Sequence, residues 1–361
     1  MRISFILSSL RLSGGVRVVT QYANRLSKRG HHISLVIPNG TIDAQLTGEI
    51  DPEIKIITTK HKLEPSPNLL QLFRISWEMA KSVPKSDVII ATHTPTTVVS
   101  FLAGKLLGRG KIIWYYMDYA EMFDARPIEQ WFLRNALKWH AYAVTLSEAC
   151  VQELHTYSSG VVINIGLGID TAVYHPQPLA NKSSFSDPDR IAIFFLGDAR
   201  PRKGMAEFLN AMEKLSVVEP NLMMWIASKE DIKLQCTIPF KLFFRPTDTE
   251  LAVLYSACDL FVSASWYEGF GLPPLEAMAC GAAVVTTDSR GIHEFAIDGE
   301  NCLIVPPKNP EALAEGLQLL LANQGLMKKF KMNGPLTAAK FDWKKATDRF
   351  EAALRISETD K

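Results

Sequence analysis

Two patterns alternate along almost the whole chain, and together they leave few folds open. Short runs such as Val88–Ala91 and Ile112–Met117 are apolar at every position, as strands are when helices cover both faces of a parallel sheet. Segments with helical periodicity separate these runs, which is the pattern of βαβ units. In the first half, strands are expected at Ile3–Leu7, Ile33–Ile37, Ile54–Thr58, Val88–Ala91, Ile112–Met117, Ala143–Leu146 and Val161–Ile165. Helices are expected at Val16–Arg29, Leu69–Ser82, Thr96–Leu107 and Ile128–Trp139. From Pro176 to Asp189 the rhythm stops in a polar, proline-containing stretch that reads as a linker.

The alternation then restarts. Strands are expected at Ile191–Leu196, Leu222–Ala227, Leu242–Phe244, Leu260–Ser263, Ala283–Thr286 and Leu303–Val305. Helices fit Met205–Val217, Asp248–Ala257, Leu275–Ala279 and Pro310–Ala322, followed by Leu326–Lys340 and Lys344–Ile356. A length of 361 residues agrees with two domains. The expected architecture is α/β: two Rossmann-like, doubly wound parallel-sheet domains at 1–176 and 190–340, a linker at 177–189 and a closing helix at 341–361. Two such domains would face each other across a cleft lined by loops from their C-terminal strand edges.

Composition narrows the function. The formal net charge is +1, so no strong field points to nucleic acid. Residues 1–175 carry 18 Lys+Arg against 14 Asp+Glu, a net of +4, and the remainder 21 against 24, a net of −3. The cysteines Cys150, Cys236, Cys258, Cys280 and Cys302 form no CxxC pair and are odd in number. That argues against a zinc site or a disulfide framework and for a reducing cytoplasm. Apolar Ile3–Leu10 resembles the start of a signal peptide, but Arg11 interrupts it and a helical pattern follows. No apolar run is long enough to span a bilayer. The expected protein is cytoplasmic, soluble or peripheral to the membrane.

The most informative segment is Ser263-Ala-Ser-Trp-Tyr-Glu-Gly-Phe-Gly-Leu-Pro-Pro-Leu-Glu-Ala-Met-Ala-Cys-Gly281. A strand ends near Ser265, Gly269 and Gly271 bring bare amides to the turn, and Pro273 or Pro274 suits the first turn of a helix. Amides and helix dipole together make an anion site suited to a pyrophosphate. Glu276 falls in that first turn, and Glu268 lies just ahead of it. Two glutamates eight apart mean little alone; the Gly-Phe-Gly-Leu-Pro frame around them is the specific part.

This segment resembles the Glu-x7-Glu motif of family 4 retaining glycosyltransferases, which have the GT-B fold. The likeness extends over essentially the whole chain. Asp259-Leu-Phe-Val-Ser resembles the strand leading into the motif, and Arg290-Gly-Ile-His-Glu294 and Asp298-Gly-Glu-Asn301 resemble segments that follow it. Asn164-Ile-Gly-Leu-Gly-Ile-Asp170, with Tyr174-His-Pro176, resembles the bridge into the linker. The resemblance implies an N-terminal acceptor-side domain and a C-terminal domain that binds a nucleoside-diphosphate sugar. It also implies that Glu276 binds the donor's ribose and Glu268 the transferred sugar. Amides of Gly269, Phe270, Gly271 and Leu272 would meet the sugar hydroxyls and the diphosphate.

Three further loops fit the same picture. In Phe195-Leu-Gly-Asp-Ala-Arg-Pro-Arg-Lys-Gly204, Lys203-Gly204 matches the family. Asp198 departs from it, because arginine usually stands directly after the glycine. With no catalytic metal, cations must stabilise the charge left on the diphosphate. Lys203 is one, and Arg200 or Arg202 is the other. In Ser8-Ser-Leu-Arg-Leu-Ser-Gly-Gly-Val16, Gly14 and Gly15 would offer amides to the donor phosphates. His93, in Ala91-Thr-His-Thr-Pro95, resembles the family's active-site histidine, and Asp118 at the end of the next strand is an acceptor-side candidate.

Asp187-Pro-Asp189 mimics a metal-binding Asp-x-Asp but lies in the linker, away from any strand end. Arg17, Arg25, Lys28, Arg29, Lys105, Arg109 and Lys111 make a face suited either to a membrane or simply to water. The expected activity is metal-independent, retaining transfer of a sugar to a hydroxyl acceptor, glycan or lipid-linked, without a cofactor. Cell-surface polysaccharide or glycolipid assembly and peripheral contact with the inner membrane face are implied by resemblance alone. The competing readings are a non-catalytic partner subunit of the same fold, and an epimerase or phosphorylase.

Overall fold

The computed structural model describes residues 1–11, 13–124, 126–178 and 189–359. Residues 179–188 of the linker, with Asp187 and Pro188 of the mock metal motif, lie outside that set. Two compact units result, Met1–Leu167 with Lys344–Lys361, and Gly168–Trp343.

The first unit is built on seven parallel strands: β1 Arg2–Ile6, β2 His32–Asn39, β3 Lys55–Lys62, β4 Val88–Ala91, β5 Lys111–Tyr116, β6 Ala143–Thr145 and β7 Val162–Asn164. Their order is β3-β2-β1-β4-β5-β6-β7. Successive connections therefore run one way from β1 and the other way from β4, and the two strands pair at Ile6 and Ala91. Between neighbours whose connections diverge, no crossover covers the C-terminal ends, and a crevice for a ligand opens there. The loops that follow β1 and β4 carry Gly14–Gly15 and His93. The five inner strands, β2, β1, β4, β5 and β6, are buried over most of their length, as covered strands of a parallel sheet must be, whereas the edge strands β3 and β7 are largely exposed and half-buried respectively.

The last helix, Trp343–Thr359, joins this unit from Lys344 onward and adds to its core. Phe350 packs against Phe5, Tyr22 and Tyr115, with ring centroids 6.3, 4.8 and 5.7 Å away. Tyr142 Oη donates to the Ala353 carbonyl at 2.6 Å, and Arg29 pairs with Asp348 and Glu351.

The second unit repeats the architecture with six parallel strands: β8 Ile191–Leu196, β9 Leu222–Ser228, β10 Phe240–Phe244, β11 Leu260–Ser263, β12 Ala283–Thr287 and β13 Leu303–Val305. Their order is β10-β9-β8-β11-β12-β13, so the reversal lies between β8 and β11. Ile193, Phe195, Met224, Leu260, Val262, Ala283 and Val285 from the sheet pack with Phe208, Leu215, Leu317 and Phe330 from helices into one core. The division falls between Leu167 and Gly168, ahead of the boundary expected at Pro176. Residues beyond it already lie on the second unit: Tyr174 packs on Tyr255, and the Gln177 amide donates to Ser256 Oγ.

Local differences have local causes. The helix expected to begin at Leu275 begins at Leu272, because Gly271 caps it in the left-handed region and prolines are tolerated in a first turn. The helix expected over Thr96–Leu107 is α-helical only to Phe101, then widens to a π-turn over Leu102–Leu106. A helix at Glu148–His155 was not expected; Ser147 caps it by accepting from the Cys150 amide. No described helix is long and apolar enough to cross a membrane.

Candidate functional site

At the reversal point of the second sheet, the loop after β8 and the loop after β11 place opposite charges together. Lys203 closes a single 3-10 turn, Pro201–Lys203, and Gly204 follows with φ 71°. A Cβ at Gly204 would lie 2.0 Å from the Ala264 carbonyl oxygen, so glycine alone lets the two loops touch. Arg202 is fixed from both ends. Its carbonyl accepts from the Trp266 amide at 2.8 Å, and its guanidinium donates to the Tyr267 carbonyl at 3.3 Å.

Glu268 sits between these cations. Its Oε1 accepts from Lys203 Nζ at 2.6 Å and from Ser265 Oγ at 2.8 Å, while its Oε2 lies 3.5 Å from Arg202. The three charged side chains are only 15–16% exposed. Burial pushes the Glu268 carboxyl up, but Lys203 and Arg202 outweigh it and hold it at about 2. The site therefore holds an ionised acid against two basic side chains. Sequence reasoning missed Ser265, whose hydroxyl is the third group on Glu268.

Glu268's backbone is clamped as well. Its amide donates to the Ser289 carbonyl at 2.9 Å, and its carbonyl accepts from the Gly291 amide at 3.2 Å. Between these partners, Arg290 adopts φ 67°, ψ −69°, closed by a Gly291-to-Ser289 hydrogen bond of 2.9 Å. That is a γ-turn of the rare positive-φ kind, strained for any residue with a side chain. A Cβ at Gly291 would meet the Glu268 carbonyl at 2.4 Å.

The helix Leu272–Ala279 begins directly after this clamp. Pro273 and Pro274 carry no N–H, so the amide donors at this end come from the residues ahead of them. The Phe270 side chain is buried against Phe295 and Phe341, leaving only its backbone to face a ligand. Glu276 is half-buried one turn in and accepts from Tyr255 Oη at 3.2 Å.

The remaining candidates in this unit separate. Asp198 is buried, and its carboxylate binds Arg200 through Nε at 2.8 and 3.0 Å, through a second guanidinium nitrogen, and through the Arg200 amide at 3.0 Å. Burial pushes Asp198 up, but Arg200 outweighs it and holds the carboxyl below its ordinary range. Lys229, directly after β9, lies 4.0 Å from the same carboxylate. Arg202, not Arg200, is thus the arginine beside Glu268.

In the first unit, His93 and Asp118 come together. His93 Nδ1 lies 3.1 Å from Asp118 Oδ1, and Asp118 Oδ2 accepts from the Thr94 amide at 2.6 Å. Asp118 is 4% exposed, and both its oxygens are engaged. Burial pushes its carboxyl up, yet His93 and the Thr94 amide outweigh burial and hold it low. The loop after β1 packs on the same ring: a Cβ at Gly15 would lie 3.3 Å from His93 Cε1 and 3.0 Å from Met117 Sδ. Gly14 opens the helix Gly14–Lys28 with open space around it. Leu12 of that loop lies outside the described residues.

Residues 177–337 match the family profile described as "Glycosyl transferases group 1", and residues 12–173 match "Glycosyltransferase Family 4". The chain belongs to family 4 of the glycosyltransferases. The D-inositol 3-phosphate glycosyltransferase of Rhodococcus erythropolis is 27% identical to this family 4 chain over 225 residues, covering 57% of it and 51% of the relative. The serotype-specific mannosyltransferase WbdA of Escherichia coli is 29% identical over 219 residues, covering 55% and 26%. The chain spans from 14% to about half of the length of the curated relatives it matches.

Among solved structures, sucrose-phosphate synthase from Thermosynechococcus elongatus superposes with TM-score 0.86 at 18% identity, covering all of both chains. Anabaena HepE, in complex with UDP and glucose, superposes with TM-score 0.79 at 18% identity, covering 99% of this chain and all of HepE. At that identity the likeness is one of fold, and the fold is GT-B.

Proposed function

We propose that this family 4 chain transfers a sugar from a nucleoside diphosphate to a hydroxyl acceptor, with retention of anomeric configuration and without a catalytic metal. The observation that carries the reading is the grouping of Lys203 and Arg202 around the ionised Glu268 where the second sheet's strand order reverses. In the proposed step, the bond from the anomeric carbon to the diphosphate oxygen breaks. The acceptor oxygen bonds that carbon from the same face, and its proton passes to the departing phosphate oxygen. No protein nucleophile is needed.

Negative charge grows on the diphosphate as that bond breaks, and the cations of Lys203 and Arg202 are assigned to offset it. A preorganised group of this kind contributes roughly 3 kcal/mol to lowering a barrier. Glu268 holds the cations in place when no donor is bound and accepts from a sugar hydroxyl when one is. Glu276 takes the ribose hydroxyls, with Tyr255 fixing one of its oxygens. Backbone amides from Gly269 to Leu272, and those of Gly14 and Gly15, are assigned to the donor. His93, oriented by Asp118, is assigned a hydrogen bond to the substrate. The activities for which the relatives are named, mannosyl transfer and inositol 3-phosphate glycosyl transfer, and the UDP and glucose bound by HepE support the donor class.

For the acceptor we infer a glycan or lipid-linked saccharide at the inner membrane face. Exposed Leu69, Leu70 and Phe73 on the helix Leu69–Ser82 support membrane contact better than the basic face does, because Arg29 is paired within its own unit. Co-sedimentation with anionic lipid vesicles, lost in Leu70→Asp/Phe73→Asp, tests this.

The donor assignment is tested by thermal-shift titration with UDP-, GDP-, ADP- and dTDP-sugars in EDTA, repeated on Glu276→Ala. A selective upward shift that the variant loses supports it and names the base. Absence of any shift counts against it. NMR of the product's anomeric proton decides between retention and inversion.

A further inference from the structure

At position 198 this chain departs from the family pattern it otherwise follows. An acid directly after Gly197, aimed at a diphosphate, would repel it. The side-chain geometry removes the conflict. Asp198 is 5% exposed, and its carboxylate turns onto Arg200 rather than outward. A guanidinium carries five N–H donors in a rigid fork. The Nε and one terminal nitrogen are held on Asp198, which leaves the other edge of the fork facing away from the acid.

Arg200 also differs from its neighbours in availability. Arg202 and Lys203 are 16% and 15% exposed and sit on Glu268, whereas the Arg200 side chain is 44% exposed. Its loop is anchored on both sides: the Ala199 amide donates to Glu230 at 3.0 Å, and Gly204 is wedged against Ala264. The cluster is electrostatically continuous, since Asp198 feels Lys203 and Arg200 feels Glu268. Lys229 adds a cation 4.0 Å behind Asp198.

We propose that Asp198 is a positioning residue that holds Arg200 with its outer edge toward the donor's diphosphate. Arg200 then supplies, from two residues further on, the positive charge that family 4 usually places directly after the glycine. The acid is retained because it orients a long, mobile side chain that exposure alone would leave unfixed. The inference rests on the donor-site reading above and extends it to a residue whose charge is opposite to that expected.

The test compares wild type with Asp198→Asn, Arg200→Ala, the double variant Asp198→Asn/Arg200→Ala and the relocation variant Asp198→Arg/Arg200→Ala. The readouts are donor KM, kcat, melting temperature and the Kd of the free nucleoside diphosphate. Asp198→Asn should raise donor KM and nucleoside-diphosphate Kd roughly tenfold, the scale of one charge-assisted hydrogen bond, with a smaller fall in kcat. The double variant should be no worse than Arg200→Ala, because Asp198 acts through Arg200. The relocation variant should recover most of the affinity. If Asp198→Asn does not fold, Arg200→Lys carries the test: it keeps the charge, cannot form the fork, and should weaken the nucleoside diphosphate to a similar extent.

Wild-type affinity in Asp198→Asn, or additive losses in the double variant, would overturn the proposal. Lys203→Ala separates the two levels. If it loses turnover while Asp198→Asn does not, only the positioning role fails. If Lys203→Ala also keeps donor affinity and turnover, the donor-site reading fails with it.

Discussion

The ammonium of Lys203 meets the carboxylate of Glu268 at 2.6 Å, with Arg202 3.5 Å away on the other oxygen. Neither loop could hold its charge alone. Lys203 is aimed by the left-handed Gly204 behind it, and Glu268 by the strained turn at Arg290. Removing Lys203 leaves Arg202 as the one cation on Glu268 and takes one charge from the proposed leaving-group site. Lys203→Ala should therefore lower kcat by about two orders of magnitude, the scale of roughly 3 kcal/mol of barrier. Steady-state kinetics at saturating donor measure it. Turnover within threefold of wild type would sink the leaving-group role.

Gly204 provides a sharper structural test. Its φ is 71°, and a Cβ would sit 2.0 Å from a backbone oxygen that cannot swing away. Gly204→Ala is expected to cost about 3 kcal/mol or more in denaturant unfolding. Gly14→Ala is the control. Nothing lies within 4 Å of a Cβ there, so its stability should change by less than about 0.5 kcal/mol. Equal effects at the two positions would contradict the loop packing described here.

The strain at Arg290 lies in its backbone. Glycine adopts φ 67° freely and alanine does not. Both variants lose whatever the arginine side chain contributes, so the backbone alone separates them: Arg290→Gly should be about 1 kcal/mol more stable than Arg290→Ala, after allowing for glycine's greater freedom in the unfolded chain. Chemical denaturation of both variants checks this, and equal stability of the two would contradict a strained backbone.

His140 makes the first unit sensitive to acid. It is buried, with Nε2 2.8 Å from Ser100 Oγ and Nδ1 2.7 Å from the Ala136 carbonyl. Burial pushes its pKa down from 6.5 to about 4. Unfolding releases the ring to its ordinary value, so below pH 6.5 the unfolded chain binds a proton that the folded one refuses. Stability is unaffected above that pH and falls between 6.5 and about 4, by roughly 3 kcal/mol across the window. His140→Gln should be less stable at pH 7 yet lose less between pH 6.5 and 4. Melting temperature against pH is the measurement, and parallel curves for variant and wild type would exclude His140 as the source.

What was legible in the sequence follows from how each feature is encoded. The strands stood out because burial on both faces leaves Val88–Ala91 or Ile112–Met117 no polar position. The helix Glu148–His155 did not, because its eight residues are too few for a period of 3.6 to declare itself. The Glu268–Gly271 loop was legible because glycines and prolines mark backbone requirements directly. The Asp198–Arg200 pair was not: which arginine sits on Glu268 depends on side-chain directions that spacing does not specify. The Arg290 turn was hidden for the opposite reason, since positive φ is ordinarily announced by glycine, and here an arginine adopts it.

The pairing of His93 with Asp118 permits one more test, because an ionised carboxylate can only accept. Asp118 is held below its ordinary pKa, so His93 Nδ1 must carry the proton it shares, and in the neutral ring Nε2 is left as the acceptor. In Asp118→Asn, the amide NH2 can donate to Nδ1 while its carbonyl still accepts from the Thr94 amide. The ring then changes tautomer, and Nε2 becomes a donor. If His93 accepts from a substrate hydroxyl, Asp118→Asn should lower kcat about 10- to 100-fold, the range of a misplaced proton-transfer or orienting group, while the protein stays folded. His93→Ala should be no worse in the Asp118→Asn background than alone, since Asp118 acts only through the ring. Additive losses would show that Asp118 acts other than through the ring, and full activity in Asp118→Asn would show that the pair only holds the β4 and β5 loops together.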